Sequence, residues 1–288
     1  MSDADDWRRV AGLRWHAQGY ASVHGDLLAR MRAIDARFVQ WAQAEAATDY
    51  QFAGLMPLSD LRRAQYLQGF PHLAVFPATL APDPSRLRGV AATSTTTDTL
   101  DLPFATTCDS ILPPAACFGV YAALRDTSLH APHIATTCCT CYRNEAGVAW
   151  LRRQRSFAMR ELVCVGTREE VQAFLARNRE RVDAFAKALG LDAHWEMATD
   201  PFFEAERDPR QLAQRLDPLK HELRLHGGLA LCSVNDHRNF FGEGFGIDRD
   251  GMPAHSGCVA FGLERWLYAC IDAFGDDCRA WPALDAIA

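Results

Sequence analysis

Apolar residues along this chain recur with two different spacings. Leu27, Met31, Ile34, Phe38 and Trp41 step by four, three, four and three, which lines them along one face of a helix. The spacing predicts a long amphipathic helix over residues 24–46. Val171, Phe174, Val182, Phe185 and Leu189 mark a second helix, stopped by Gly190 because glycine readily takes the left-handed conformation that ends helices. Further helices are expected over 115–125 and around Leu212, Leu216 and Leu219. Residues 138–164 read as two strands joined by a basic loop, His72–Phe76 as an extended segment, and the region of Trp195 as a strand. Residues 228–247 read as paired strands joined at Asn235–Asn239. Pro77, Pro82 and Pro84, followed by the threonine-rich run Thr93–Thr99, mark the least ordered stretch. The chain has no internal repeat. Hairpins interspersed with long helices favour an α+β fold, an antiparallel sheet flanked by helices.

Composition narrows the function classes. With 288 residues and 49% hydrophobic content, the chain can bury a large core. Its net charge of -6 gives none of the overall basic footprint that neutralising many RNA phosphates requires. Positive charge gathers instead in Arg152, Arg153 and Arg155, and in Arg177, Arg179 and Arg181; the second group reads as a solvated helix face. The acidic N-terminus (Asp3, Asp5, Asp6) lacks the features of a signal peptide, and no apolar run approaches the ~20 residues that span a bilayer. Ten cysteines in such a chain point to reduced thiols and metal rather than a disulfide framework, and the expected location is cytoplasmic.

The chemistry concentrates in residues 138–164. Arg143 and Glu145 are one residue apart on an expected strand and so project from one face. A guanidinium can grip phosphate in a bidentate fork, and a carboxylate beside it can accept from an exocyclic amine. The loop adds Arg152 and Arg153, and Phe157 offers a ring for stacking on a purine. Arg143, Glu145, Arg153 and Phe157 resemble motif 2 of the class II aminoacyl-tRNA synthetases, which cradles ATP. His-Ser-Gly-Cys-Val-Ala-Phe-Gly-Leu-Glu-Arg-Trp, residues 255–266, resembles their motif 3, a strand running through Gly262 into a helix, with Arg265 meeting the γ-phosphate.

Arg-Ser-Phe-Ala-Met-Arg-Glu-Leu-Val-Cys-Val-Gly and the motif 3 segment are similar, more closely, to the atypical zinc-dependent seryl-tRNA synthetases of methanogens. They are closer still to the bacterial amino acid:[carrier protein] ligases, and the similarity runs over nearly the whole chain. The resemblance implies a six-stranded class II sheet in a single catalytic domain over 1–288, its first 100 or so residues packed on the core, with no tRNA-binding domain. It implies that a small amino acid (glycine, alanine or serine) is activated with Mg²⁺-ATP and loaded onto the phosphopantetheine thiol of an acyl or peptidyl carrier protein. Arg143 and Arg265 would stabilise the transferring charge, Arg152 and Lys220 would lie near the nucleotide, and the protein would be a homodimer. A compact synthetase charging tRNA and a noncatalytic sensor of amino acid or ATP are the competing readings; tRNA is not the expected partner.

The same resemblance implies Zn²⁺ held by Cys117, Glu161 and Cys258. Three protein ligands leave the fourth tetrahedral position open, where a substrate amine could sit beside Glu161. Spacing alone is a weak signal, since cysteine is commonly a small buried hydrophobe. Glu161, however, stands on the apolar strand Leu162-Val163-Cys164-Val165, where an unpartnered carboxylate would be costly. Cys138-x-x-Cys141 has no second pair, and Cys139 and Cys141 read as packing on one strand face. His221-Glu222…His226 misses H-E-x-x-H by one residue, so the two histidines would not share a helix face, which argues against a metalloprotease site. Ser233 and Asn235 fit either substrate contacts or polar strand ends. An acidic residue common in the class ahead of this segment, a Mg²⁺ ligand, is replaced here by apolar residues through Leu231, leaving Glu243 or Asp236 as substitutes.

Overall fold

The apolar run following Glu161 lies at the centre of a sheet. The computed structural model describes residues 7–93, 108–204 and 219–283. Among these, nine strands form one sheet: β1 (Leu13–His16), β2 (Tyr20–Val23), β3 (Thr48–Tyr50), β4 (His133–Tyr142), β5 (Ser156–Gly166), β6 (Ala193–Met197), β7 (Lys220–Leu225), β8 (Ala230–Arg238) and β9 (His255–Gly262). Five antiparallel pairings join six of them in the order β4–β5–β9–β8–β7–β6, the expected antiparallel sheet. β3 adds in parallel outside β4, and the β1–β2 hairpin meets β5 through one parallel pair, Tyr20 with Ser156. Every residue of β5 from Met159 onward is buried, as a strand covered on both faces must be.

Helices α1 (Gly25–Ala44), α3 (Phe118–Ala123), α4 (Arg168–Ala188), α5 (Phe240–Phe245) and α6 (Leu263–Phe274) cover those faces, while α2 (Pro84–Thr93) stands exposed. The periodicities that predicted α1 and α4 are the faces they bury, Leu27, Ile34, Phe38 and Ala42 in α1 and Val171, Phe174, Val182 and Phe185 in α4. A capping box between Thr167 and Glu170 starts α4, and Gly190 ends it at φ +66°. The two helices meet α6 over the sheet, where Phe38 stacks on Phe261 at 3.9 Å and packs edge-on against Trp266 at 5.5 Å. Phe38→Ala is expected to cost about 3–5 kcal/mol of stability by leaving a cavity among these rings; urea unfolding would measure it.

Some local expectations change. Only the first half of residues 228–247 is a strand, and its partners are β7 and β9. The second half is α5, because Phe241 and Phe245, four apart, share a helix face against Tyr121, and Gly246 closes it at φ +68°. Gly242 admits no side chain, since a Cβ would lie 2.2 Å from the Ala254 carbonyl oxygen. Residues 84–93 form α2 where little order was expected: Asp83 accepts from the Ser85 and Arg86 amides at 3.0 and 2.9 Å, and Pro84 suits a first helical position. His72 sits in a 3-10 turn, Pro71–Leu73, ahead of the extended stretch, and the helix at 115–125 is the shorter α3. Of the helix expected around Leu212, Leu216 and Leu219, the first two lie outside the described residues, as does the threonine run beyond Thr93, and Leu219 leads directly into β7. The α4 arginines are tied down: Arg177 and Arg181 both bind Glu45 at the end of α1, and Arg179 lies over Trp195 at 4.8 Å.

All ten cysteines are free thiols. Cys139 and Cys141 do share a strand face, their sulfurs 3.7 Å apart, packed beside Met159 and Ala260. Among the described residues no helix is long and apolar enough to cross a membrane.

Candidate active site

Pleating assembles the site. Phe157-x-Met159-x-Glu161 on β5, Lys220-x-Glu222 on β7, Ser233-x-Asn235 on β8 and Cys258-x-Ala260-x-Gly262 on β9 each place alternate residues on one face. The register sets Glu161 opposite Ala260, Ser233 opposite both Ala260 and Glu222, and Asn235 opposite both Cys258 and Lys220. All of these line one cavity of about 500 Å³, the size of a small-molecule site.

Arg143, Arg152, Arg238 and Arg265 line it too. Arg143 and Glu145 lie just past the end of β4 rather than on it, because the chain turns there through a Glu145 N–H to Arg143 carbonyl hydrogen bond of 2.8 Å. Arg143 donates from Nε to the Pro114 carbonyl at 3.1 Å, and its guanidinium lies 5.3 Å from the Phe157 ring centre. Arg152 lines the cavity with its guanidinium against Tyr268. Arg153 does not line it: the side chain is 60% exposed and stands 3.9 Å from the Glu145 carboxylate. Arg265, in the first turn of α6, donates from Nε to the Arg152 carbonyl and from Nη1 to the Ala230 carbonyl, each at 3.0 Å. Burial first, then the nearby charge of Arg143, lower its pKa. Two cations that disfavour one another across one cavity are stabilised by an anion placed between them. The adjacent Glu264 anchors this turn: both carboxylate oxygens accept the Ala158 N–H, at 2.9 and 3.0 Å, and burial pushes its pKa up to about 7.

At the inner end of the cavity, ligand atoms of Cys117, Glu161 and Cys258 all lie within 4.8 Å of one another. Each residue is at most 5% exposed. Cys117 arrives from the loop capping α3, and Glu161 Oε1 accepts the Ala116 and Cys117 amides at 2.9 and 3.1 Å, which fixes the carboxylate. A hydrogen bond with Cys258 and burial push the Cys117 thiol well up. The Cys117 contact lowers Cys258, burial and Glu161 raise it, and it stands at about 11. Two such thiols and a buried carboxylate become a stable anionic set around a divalent cation, and two sulfurs with one oxygen suit tetrahedral Zn²⁺ with one open position.

Lys220 Nζ sits between Asp200 at 2.8 Å and Glu222 at 3.3 Å. Burial opposes its charge, but the two carboxylates outweigh that and raise its pKa. Asp236 and Glu243, the substitutes for the absent acid, both line the cavity, as does Glu222. Sequence reasoning missed Asp200, Tyr121 and His237. His237 follows Ser233 and Asn235 at the same two-residue step, which is the signal that marks it, and it stands at the bulge between Asp236 and Arg238. Its Nε2 lies 3.7 Å from the Cys258 sulfur and its Nδ1 3.1 Å from the Tyr121 hydroxyl, and burial pushes its pKa down to about 4.

No protein-family model matches the chain. Among solved structures it is similar to M. kandleri seryl-tRNA synthetase, crystallised with A. aeolicus tRNASec, at TM-score 0.82 and 20% identity over 98% of this chain and 59% of that one. It is also similar to the cytoplasmic serine–tRNA ligase of Naegleria fowleri in complex with AMP, at TM-score 0.69 and 12% identity over 94% of this chain and 61% of that one. At these identities the likeness concerns the fold, and the chain spans about three-fifths of either synthetase. In sequence, it is 31% identical over 154 residues to the type-2 serine–tRNA ligase of Methanococcus maripaludis, covering 50% of this chain and 30% of that protein. It is 32% identical to amino acid–[acyl-carrier-protein] ligases 1 and 2 of Bradyrhizobium diazoefficiens, over 97% of this chain and 88% and 86% of those proteins. Such identity across nearly the full length of both partners makes the chain a member of the amino acid–[acyl-carrier-protein] ligase family, built on the class II aminoacyl-tRNA synthetase fold.

Proposed function

We propose that the protein activates a small amino acid (glycine, alanine or serine) with Mg²⁺-ATP and transfers it to the phosphopantetheine thiol of a carrier protein. Beyond family membership, the observation that carries this reading is the placing of Arg143 and Arg265 in the same cavity as Cys117, Glu161 and Cys258. The amino acid carboxylate attacks the α-phosphorus in line and pyrophosphate leaves. Arg143 and Arg265 hold the charge spreading over the phosphoryl oxygens. Phe157 stacks on the purine and Glu145 accepts from its exocyclic amine. Zn²⁺, when bound by Cys117, Glu161 and Cys258, supplies a Lewis-acid seat for the substrate amine. Ser233 and Asn235 flank that seat. The pantetheine sulfur then attacks the adenylate carbonyl; a C–S bond forms, the C–O bond to AMP breaks and the thiol proton is released. The reading includes one catalytic domain, a homodimer and a cytoplasmic location.

Incubation with ATP, labelled glycine, alanine or serine, and either total tRNA or pantetheinylated carrier protein provides the test. Label is expected on the carrier as a hydroxylamine-sensitive thioester. Charging of tRNA with no carrier loading would reject the reading.

A further inference from the structure

The structure assigns His237 the part of a positioning residue: its Nε2–H donates to the Cys258 sulfur, and Tyr121 holds the imidazole in the tautomer that can do so. This rests on Cys258 being a zinc thiolate. No ligand role for His237 itself is involved, since it falls outside the set of donor atoms within 4.8 Å of one another.

A neutral imidazole has one N–H and one bare nitrogen, and its surroundings choose which is which. At His237 the two nitrogens face different partners. Nε2 meets the Cys258 sulfur at 3.7 Å, while Nδ1 meets the Tyr121 hydroxyl at 3.1 Å and the Ser256 hydroxyl at 3.4 Å. A thiolate only accepts, so the proton belongs on Nε2. Nδ1 then accepts from a hydroxyl, which both Tyr121 and Ser256 can provide. Tyr121 is fully buried and stacked on Phe241 at 4.2 Å, and that ring in turn meets His237 edge-on at 4.8 Å. The imidazole is therefore held on its edge and its face. Cys258 takes a second donor from Asn235 Nδ2 at 3.3 Å. Two donors on one sulfur spread its negative charge and fix the direction of its lone pairs, as outer partners do for metal ligands generally. Asn235 and His237 reach Cys258 from alternate positions of β8, so this strand sets the sulfur's geometry across the β8–β9 pairing.

Zinc affinity, measured by chelator competition on the purified protein, reads this contact without any catalytic assay, and the Co²⁺-substituted protein adds the sulfur-to-metal charge-transfer band. His237→Phe is expected to weaken Zn²⁺ binding by about 10–100-fold and to shift that band to lower energy, because the sulfur loses a donor. His237→Gln, whose side-chain amide can still donate from the Nε2 position, is expected to keep both near wild type. Wild-type affinity and band in His237→Phe would overturn the assignment while leaving the zinc site intact. Equal losses in His237→Phe and His237→Gln would also overturn it, marking the ring as packing alone. Should His237→Phe fail to fold, Tyr121→Phe combined with Ser256→Ala removes both hydroxyls from Nδ1: a several-fold loss of affinity is expected, and an unchanged value rejects the tautomer lock. A wild-type protein that binds no Zn²⁺ would sink the metal reading and this inference together.

Discussion

Arg265→Ala is expected to reduce amino-acid-dependent ATP–pyrophosphate exchange by at least about 10²–10³-fold, the loss typical when one preorganised donor to a developing charge is removed from a dry site. The expectation follows from how Arg265 is held. Two of its nitrogens are committed to the Arg152 and Ala230 carbonyls, so the guanidinium is pinned between the motif 2 loop and β8, with the rest of its fork toward the cavity. Burial and Arg143 together disfavour its charge; an anion between the two arginines removes that penalty, and the gain grows as negative charge accumulates on the transferring phosphoryl group. The loss should therefore fall mainly on kcat. Arg265→Lys should recover little, because an ammonium cannot bridge two carbonyls and still present a planar fork. Arg143→Ala should behave alike, with an added rise in the KM for ATP from loss of the guanidinium beside Phe157. Exchange at the wild-type rate in Arg265→Ala would remove that residue from the mechanism.

Much of this architecture was legible because it depends on local periodicity. The α1 and α4 faces and the β5 run are patterns of 3.6 and of continuous apolarity, and the structure buries the residues those patterns name except Met31 and Trp41, which are half-buried against the core. The site was legible in pieces for a related reason: its residues sit at two-residue spacing on four strands, and pleating alone puts each set on one face. What sequence could not supply was the register that brings those faces together, since pairing β5 with β9 and β8 with β7 joins residues as far apart as Glu161 and Ala260. Arg153 shows the limit of motif matching: it occupies a motif position, yet the loop turns its side chain outward. α5 was misread because Phe240, Phe241 and Phe245 look like strand aromatics until the four-residue step from Phe241 to Phe245 is given precedence. Asp200 and Tyr121 gave no local signal at all; they matter through contacts with Lys220 and His237, which only the fold creates.

Cys258→Ala is expected to abolish stoichiometric zinc binding, read by elemental analysis after gel filtration, while the fold persists. Cys258 stands in the middle of β9 in a core cluster with Cys117, Tyr121 and Val163, and the rings around Phe38 and Trp266 form a separate cluster that the substitution leaves whole. Removing one of three ligands leaves two, too few for a tight tetrahedral site, and the seat for the substrate amine goes with the ion. Amino-acid-dependent exchange should vanish with it, whereas ATP binding, assigned in the proposed function to the arginines and Phe157, should survive in an equilibrium measurement. The wild-type protein adds a pH dependence of definite sign. Without an ion both thiols hold their protons at neutrality, Cys117 well raised and Cys258 at about 11. Zinc must therefore displace a proton from each, and its apparent affinity should fall by about tenfold per thiol for each unit that the pH drops. Affinity independent of pH between neutrality and mild acid would mean that thiolates do not hold the metal, and full zinc content in Cys258→Ala would take this cysteine out of the site.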